Sequence, residues 1–172
     1  MWNNKKVSVI FPAYNEEKNI KNAINDFFNT NLVDEIIVVN NNSSDNTFDL
    51  AKETKAIVVT ETKQGYGFAL RRGLYEASGD LLITAEPDGT FEADDIRKLL
   101  LYSEEFDVVF GTRTAKGLIW DNAKMDGFLR YGNVAVAKLL EYIHNGPCLT
   151  DVGCTLKIIR RDAYQKIKSL IR

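Results

Sequence analysis

The chain has 172 residues, of which 45% are hydrophobic and 27% are charged, and its formal net charge is −2. These values are close to those of ordinary globular domains, so they argue against a disordered or fibrous protein. A chain of this length is expected to form a single domain, residues 1–172, with a sizeable core. The small net charge gives no overall attraction to nucleic acid, so we expect no nucleic-acid partner and only local anion sites.

The sequence lacks the usual marks of secretion or membrane insertion. Two cysteines, Cys148 and Cys154, are too few for a disulfide framework. Residues 1–6 lead directly into a predicted strand without a signal peptide. No apolar run approaches the roughly 20 residues that span a bilayer. We therefore expect a cytoplasmic protein that is soluble or peripheral at a membrane surface.

Apolar blocks and amphipathic segments alternate along the chain and predict strands and helices in turn. The predicted strands lie at residues 7–11, 35–39, 56–60, from 81, 107–110 and 155–159. Pro12 is expected to end the first strand. The predicted helices begin near residues 15, 45, 65, 94, 128 and 162, with Asn15 capping the first and Asp162 the last. Residues 112–127 have little periodicity and predict a loop. This alternation favours an α/β fold with a mostly parallel sheet.

The fourth predicted strand stops at two carboxylates, Glu86 and Asp88. If the extended conformation continues through Pro87, both side chains leave the same face at the carboxyl end of the strand. Open α/β sheets bind ligands at that edge. Hard oxygen ligands suit Mg²⁺ or Mn²⁺, which is typically held together with substrate phosphates. We interpret the pair as a metal–diphosphate site, with an acidic, solvated turn as the alternative.

Polar loops follow each of the first four predicted strands. They are Pro12-Ala13-Tyr14-Asn15-Glu16, Asn40-Asn41-Asn42-Ser43-Ser44-Asp45, Lys63-Gln64-Gly65-Tyr66-Gly67 and Glu86-Pro87-Asp88-Gly89. With these motifs in this order the chain resembles the family 2 glycosyltransferases, and within them the dolichyl- or polyprenyl-phosphate mannosyltransferase branch. The resemblance covers nearly the whole chain, from Val7 to about Asp162. It implies a GT-A fold, a nucleotide-sugar donor and a divalent cation, Mg²⁺ or Mn²⁺.

The resemblance implies roles for residues of the first and third loops. Pro12, Tyr14 and Glu16 match the motif that lines the family's nucleotide pocket, and Lys63 would offset the charge of the donor. On local grounds alone, Glu16 would be a favourable residue at a helix start. The Gly-x-Gly at Gly65 is weak by itself, and Leu70 stands where a dinucleotide fingerprint would need glycine.

The second loop departs from the family pattern. Asn40 and Asn41 stand where the family usually has two aspartates, followed by Ser43 and Asp45 as in its pattern. Asparagine can donate as well as accept a hydrogen bond, whereas an ionised aspartate only accepts. The donor base is therefore left open between a GDP-sugar and a UDP-sugar. Without the resemblance, this segment would be a turn with Asp45 as a helix cap.

The remaining implied site residues concern the metal and the acceptor. Glu86 and Asp88 fall on the Asp-x-Asp metal motif, from which Glu86 departs by one methylene. Arg113 and Arg130 match positions that hold an acceptor phosphate, which suits the planar fork of arginine, although solvated surface arginines are the plain alternative. Asp151 matches a late acidic motif at the reaction centre, where it would act as a general base for a hydroxyl acceptor or position a phosphate acceptor.

The expected activity is metal-dependent, inverting transfer of a sugar from a nucleotide-diphospho-sugar to a polyprenyl or dolichyl phosphate at a membrane surface. Two alternatives stay open: a family 2 transferase acting on a saccharide hydroxyl, and a non-catalytic nucleotide-sugar-binding module. A nucleotidyltransferase is disfavoured, because no glycine-rich, arginine-bearing loop follows the first predicted strand. Relatives usually continue beyond the last motif, so we expect the chain to be a fragment or a minimal form.

Overall fold

The computed structural model describes residues 1–114 and 127–170, with only the backbone described for 127–130. Its strands are β1 (Val7–Ala13), β2 (Glu35–Asn40), β3 (Ile57–Thr60), β4 (Leu81–Thr84), β5 (Val108–Phe110) and β6 (Lys157–Arg160). Its helices are α1 (Ile20–Asn29), α2 (Thr47–Lys52), α3 (Tyr66–Glu76), α4 (Ile96–Tyr102), α5 (Gly127–His144) and α6 (Arg161–Ile167), and a single 3₁₀ turn (Ala93–Asp95) precedes α4.

The strands that the structure describes form one sheet in the order β3-β2-β1-β4-β6-β5. Strands β3, β2, β1 and β4 are parallel, and β6 pairs with β4 in the antiparallel direction. The carboxyl ends of the four parallel strands therefore lie on one edge of the sheet, which is where open α/β sheets bind ligands. The predicted α/β class with a mostly parallel sheet is confirmed.

Successive residues of β1 serve the two faces of the sheet, as the alternation of a strand requires. Ile10 belongs to a buried cluster with Ile37, Val39 and the α3 residues Ala69 and Leu74. On the other face, Phe11 meets Phe27 of α1 edge to face, with ring centroids 5.0 Å apart. Both faces of the central strands are covered, which explains why β1, β2 and β4 are almost continuously apolar.

The described chain divides into two compact units. The first comprises Met1–Val109 with Leu156–Arg172, and the second comprises Phe110–Thr155. The first unit carries the parallel strands, and the second carries α5. Among the helices in the described ranges, none has the length and apolar character needed to cross a membrane.

Two details at the end of β1 differ from the sequence predictions. Pro12 does not end the strand, since it pairs with Val39 and β1 continues to Ala13. A proline fits there because β4 has already ended on the other side of β1, where pairing stops at Ile10, so no partner strand needs its missing N–H. Asn15 does not cap α1, which begins five residues later at Ile20. Asn15 instead has a left-handed backbone, with φ of 57°.

The closing helix also starts differently from the prediction. α6 begins at Arg161 directly after β6, with Arg160 in the N-cap position. Asp162 lies in the first turn instead of at the cap. A carboxylate in the first turn still interacts favourably with the helix dipole.

A buried carboxylate ties together the amino ends of β1, β2 and β4. Glu35 accepts hydrogen bonds from Ser8 Oγ at 2.6 Å and from the N–H of Ser78 at 2.8 Å, and Lys6 Nζ lies 2.9 Å from it. Burial would raise the pKa of Glu35, but the hydrogen bonds from Ser78, Ser8 and Lys6 outweigh burial and lower this pKa to about 2. Glu35 therefore stabilises the folded state in its ionised form.

Replacing Glu35 with glutamine is expected to lower the free energy of unfolding at pH 7 by about 3 kcal/mol, the equivalent of the pKa shift. Because the folded-state pKa is depressed, this stabilisation is fully present above the ordinary pKa of 4.5 and is lost as the pH falls towards 2. Urea unfolding of both proteins between pH 2.5 and 7 checks this. Equal slopes of stability against pH below 4.5 would contradict the assignment.

Candidate functional site

The loops that follow β1 and β2 are joined by hydrogen bonds at the carboxyl edge of the sheet. The N–H of Asn15 donates to Ser43 Oγ at 3.1 Å, and Asn15 Oδ1 accepts from the N–H of Ser44 at 2.8 Å. The N–H of Glu16 donates to Thr47 Oγ1 at 2.7 Å. These bonds account for the left-handed backbone of Asn15 and for the late start of α1.

Asp45 completes this junction. Its Oδ2 accepts from the N–H of Glu17 at 3.1 Å, and its Oδ1 accepts from the N–H of Thr47 at 3.0 Å. Burial would raise the pKa of Asp45, but the hydrogen bonds from Thr47 and Glu17 outweigh burial and lower the pKa. Asn46 and not Asp45 occupies the N-cap position of α2. Asp45 lies directly before the cap and accepts from the N–H of Thr47, the first residue of the helix.

Asn41 joins the second loop to the third. Its side-chain N–H groups donate to the carbonyls of Glu61 and Lys63, each at 2.8 Å, and its Oδ1 accepts from the N–H of Gly65, also at 2.8 Å. Only 3% of Asn41 is exposed. An ionised aspartate could not donate to the two carbonyls. The amide at this position therefore fits the backbone of this chain.

Asn42 holds a second contact with the third loop. Its Nδ2 donates to the carbonyl of Thr62 at 2.9 Å and to Gln64 Oε1 at 3.0 Å. The backbone carbonyl fixes which end of the Asn42 amide is nitrogen, and this in turn fixes Oε1 of Gln64 as the acceptor. The far nitrogen of Gln64, Nε2, accordingly points away from Asn42.

A cavity of about 210 Å³ lies where the first three loops meet. It is lined by Pro12, Ala13, Tyr14, Asn41, Gln64, Tyr66 and Ala69. Tyr14 and Tyr66 are 54% and 44% exposed, so each offers part of a ring to a ligand. The structure thus brings together three of the residues predicted to bind the nucleotide, namely Pro12, Tyr14 and Asn41.

Two other predicted nucleotide residues do not line this cavity. Glu16 accepts a hydrogen bond from Asn19 Nδ2 at 3.2 Å. The ammonium of Lys63 lies 5.7 Å from the ring centroid of Phe68. Conversely, Gln64 and Tyr66 line the cavity although, within the third loop, the family resemblance implies a role only for Lys63.

Asp88 lies in the turn that follows β4 and is half-buried. Its Oδ1 accepts from the N–H of Thr90 at 3.0 Å and from Thr90 Oγ1 at 2.6 Å. Gly89 between them has φ of 75°, a left-handed conformation that glycine adopts readily. Across the described ranges no hydrogen bond to Asp88 Oδ2 is found, so Thr90 orients the carboxylate and leaves one oxygen for a cation.

Glu86 lies in different surroundings. β4 ends at Thr84, and Glu86 lines a cavity of about 220 Å³ against α1, together with Asn19, Asn22, Ala23, Asp26, Phe27, Gly89, Phe91 and Ala93. Asp88 is not part of that lining, so the structure does not bring the two predicted metal ligands into one cavity. No group of three acidic, histidine or cysteine side chains that could hold a metal occurs within the described ranges. A single oriented carboxylate nevertheless fits a cation whose other ligands are diphosphate oxygens and water.

Three basic residues lie near the end of the chain, Lys157 and Arg160 in β6 and Arg161 at the start of α6. In the antiparallel register, Lys157 pairs with Thr84 at the carboxyl end of β4, whereas Arg160 pairs with Leu81 at its amino end. Arg161 donates to the carbonyl of Gly79 and to that of Ala77. From sequence alone, such a basic cluster is most often a solvated face. By position, Lys157 alone of the three lies at the edge that carries the candidate site.

In the second unit, Arg113 and Asp151 form a two-pronged ion pair. Arg113 Nε lies 3.0 Å from Asp151 Oδ2, and Nη2 lies 3.3 Å from Oδ1. The backbone N–H groups of Arg113 and Gly153 also donate to this carboxylate, at 3.0 and 2.9 Å. The side chain of Asp151 is 0% exposed and that of Arg113 is 28% exposed.

The surroundings of Asp151 favour its ionised form. Burial would raise its pKa, but the hydrogen bonds from Arg113 and Gly153 outweigh burial and lower it. Asn133 lies close to this pair, since a Cβ on Gly153 would come within 2.9 Å of Asn133 Oδ1 and 3.0 Å of Arg113 Nη2. Arg130 belongs to α5, but its side chain lies outside the described residues, as does most of the loop predicted at 112–127.

Comparison with known proteins identifies a family. The model of glycosyl transferase family 2 matches residues 8–168. A UDP-N-acetylglucosamine–dolichyl-phosphate N-acetylglucosaminyltransferase of Methanococcus voltae is 29% identical over 98% of this chain and 74% of that protein. A dolichol-phosphate mannosyltransferase of Pyrococcus furiosus is 35% identical over 65% of this chain and 34% of that protein.

The fold is also found among solved structures. Glucosyl-3-phosphoglycerate synthase of Mycobacterium tuberculosis, crystallised with Mn²⁺, UDP and phosphoglyceric acid, aligns with a TM-score of 0.71 and 24% identity. The alignment covers 92% of this chain and 57% of that protein. The likeness confirms the predicted GT-A fold.

Proposed function

The chain belongs to glycosyl transferase family 2, and we propose that it transfers a hexose from a nucleoside diphosphate sugar to a polyprenyl or dolichyl phosphate. The reaction would need a divalent cation, Mg²⁺ or Mn²⁺, and would invert the anomeric carbon. The acceptor class is supported by the names of the two relatives, which act on dolichyl phosphate. The donor and cation are supported by UDP and Mn²⁺ in the solved synthase.

The observation that carries the proposal is the cavity of about 210 Å³ at the carboxyl edge of β1, β2 and β3. Parallel sheets bind nucleotides at this edge. Its two tyrosines offer ring faces on which a base can stack. The amide of Gln64 offers a directed hydrogen bond of the kind that fixes a ligand's orientation, while Asn41 holds the backbone of the third loop in place.

At the end of β4, Asp88 would hold the cation through the oxygen that Thr90 leaves open. When bound, the cation supplies positive charge that neutralises the leaving diphosphate. The role of the protein there is to orient one carboxylate, which the two hydrogen bonds from Thr90 achieve. Glu86, which lines a cavity beside α1, is proposed as a second group that contacts the cation through water.

Asp151 fits a phosphate acceptor better than a hydroxyl acceptor. A hydroxyl needs a general base, whose pKa is best near the working pH, whereas the pKa of Asp151 is lowered and both of its oxygens accept hydrogen bonds. A phosphate is already anionic and needs no base. Arg113 would contact the phosphate while Asp151 fixes its guanidinium, and Arg130 is proposed as a second contact. Catalysis would then consist mainly of positioning and charge stabilisation.

The proposal extends to the organisation of the protein. Both units would belong to one GT-A domain, residues 1–172, since the family model spans them. With a lipid phosphate as acceptor the protein would work at a membrane surface, and we propose the cytoplasmic one.

The experiment that tests the proposal supplies a labelled UDP- or GDP-sugar with Mg²⁺ or Mn²⁺ and three acceptors in parallel: a polyprenyl phosphate, the matching polyprenol and a soluble saccharide. We expect label only in the polyprenyl phosphate, and only with the cation. Label in the saccharide would favour the hydroxyl-acceptor alternative, and binding without any transfer would favour a non-catalytic module.

A further inference from the structure

We infer that the nucleotide cavity selects uracil over guanine, and that Gln64 is the residue that makes the selection. The inference rests on the proposed function, because it requires the base of the donor to occupy the cavity of about 210 Å³ at the first three loops. It names the substrate class that the sequence left open.

The two bases ask for opposite hydrogen-bonding partners. Guanine presents N–H groups at N1 and N2, which need acceptors and are best met by a carboxylate. Uracil presents two carbonyl oxygens, which need donors, and a single N–H between them. None of the seven residues lining the cavity is acidic. The cavity therefore lacks the group that guanine needs most.

Asn41 cannot supply the missing acceptor, although it stands where an aspartate is usual. All three of its side-chain hydrogen bonds go to backbone atoms of the third loop, so its amide orientation is fixed. Its oxygen already accepts from Gly65, and the residue is buried. Asn41 therefore shapes the wall of the cavity and does not read the base.

Gln64 supplies a donor instead. Asn42 Nδ2 donates a hydrogen bond to Oε1 of Gln64, and the same nitrogen also donates to the carbonyl of Thr62. Nε2 is thus the end of Gln64 that remains for a ligand, and no acceptor for it is found within the described part of the chain. An amide N–H₂ group matches a carbonyl oxygen of uracil.

The tyrosines do not contribute to this choice. Tyr14 and Tyr66 line the same cavity, but stacking on a ring face tolerates every base. Selection is therefore assigned to the edge of the base, where Gln64 is the side-chain amide whose donor end is oriented by Asn42. Glutamate at this position would keep an oxygen facing Asn42 and replace the donor by an acceptor.

The test measures the dissociation constants of UDP and GDP by calorimetry with saturating Mn²⁺. For the unmodified chain we expect UDP to bind about 10-fold more tightly than GDP, the discrimination of one well-placed hydrogen bond. Gln64→Glu should weaken the binding of UDP about 10-fold and strengthen the binding of GDP, so that the preference for UDP is lost or reversed. Gln64→Ala should weaken UDP without strengthening GDP.

The control is Gln165→Glu, which makes the same charge change on exposed α6 and should leave both constants unchanged. Equal or tighter binding of GDP by the unmodified chain would overturn the inference, as would an unchanged ratio in Gln64→Glu. These results would leave the proposed function standing. If neither nucleotide binds, the proposed function itself fails and the inference fails with it.

Discussion

Replacing Asp88 with asparagine is expected to reduce sugar transfer at least about 100-fold at saturating Mn²⁺, with little change in stability. The substitution removes the negative charge that would hold the cation against the leaving diphosphate, and a loss of about 3 kcal/mol of transition-state stabilisation corresponds to this factor. Asparagine Oδ1 can still accept from the N–H and hydroxyl of Thr90, so the turn should keep its shape. Initial rates of nucleotide release measure the loss of transfer, and the urea midpoint measures the stability.

A matched substitution separates the role of Asp88 from the general effect of removing one negative charge. Asp94 is exposed in the 3₁₀ turn that follows the same loop, and Asp94→Asn should leave the rate within about two-fold, as is usual for surface changes. If Asp88→Asn transferred sugar at the normal rate, the cation site would have to lie elsewhere.

Replacing Asp151 with asparagine is expected to lower the free energy of unfolding by about 3 kcal/mol and to reduce transfer. The change removes the buried partner of Arg113, and breaking a buried ion pair on one side is strongly destabilising. Because the pKa of Asp151 is lowered, its stabilisation is present above its ordinary pKa of 3.8 and is lost as the pH falls below that value. Urea unfolding at pH 7 and at pH 3 measures the loss of stability and its dependence on pH, and the rate of sugar transfer at pH 7 measures the loss of activity.

The control for Asp151 is an exposed ion pair. Asp107 lies 3.6 Å from Arg160 Nη1 and is 59% exposed, so Asp107→Asn should cost less than about 1 kcal/mol. Equal costs for the two substitutions would contradict the structural account of the Arg113–Asp151 pair. The activity result also bears on the acceptor: an ascending limb of the pH–rate profile that disappears in Asp151→Asn would indicate a general base and hence a hydroxyl acceptor.

The layered fold could be predicted because alternation of apolar strands with amphipathic helices leaves few arrangements. The family 2 resemblance, drawn from four loops, is confirmed by the match over residues 8–168. Pro12, Tyr14 and Asn41 meet at one cavity for the same reason, since Pro12 lies in the last two residues of β1, Tyr14 follows β1 and Asn41 follows β2, and the carboxyl ends of these parallel strands lie on the same edge.

Other features depend on contacts that no local pattern carries. Arg113 and Asp151 are 38 residues apart, and each was given its own role before the structure paired them. The amide of Asn41 is explained by backbone carbonyls 20 and 22 residues further on. The antiparallel direction of β6 places Lys157 rather than Arg160 at the carboxyl edge of the sheet, and a sheet expected to be mostly parallel did not indicate this.

The central claim is that the carboxyl edge of the sheet holds a nucleoside diphosphate through a divalent cation at Asp88. It is tested most directly by the thermal unfolding midpoint with UDP alone, Mn²⁺ alone and both together, in the unmodified chain and in Asp88→Asn. A ligand bound only by the folded state raises this midpoint. We predict a rise with both together that exceeds the sum of the separate rises and is absent in Asp88→Asn. The claim would be contradicted if UDP alone raised the midpoint as much as UDP and Mn²⁺ together, or if Asp88→Asn kept the full rise.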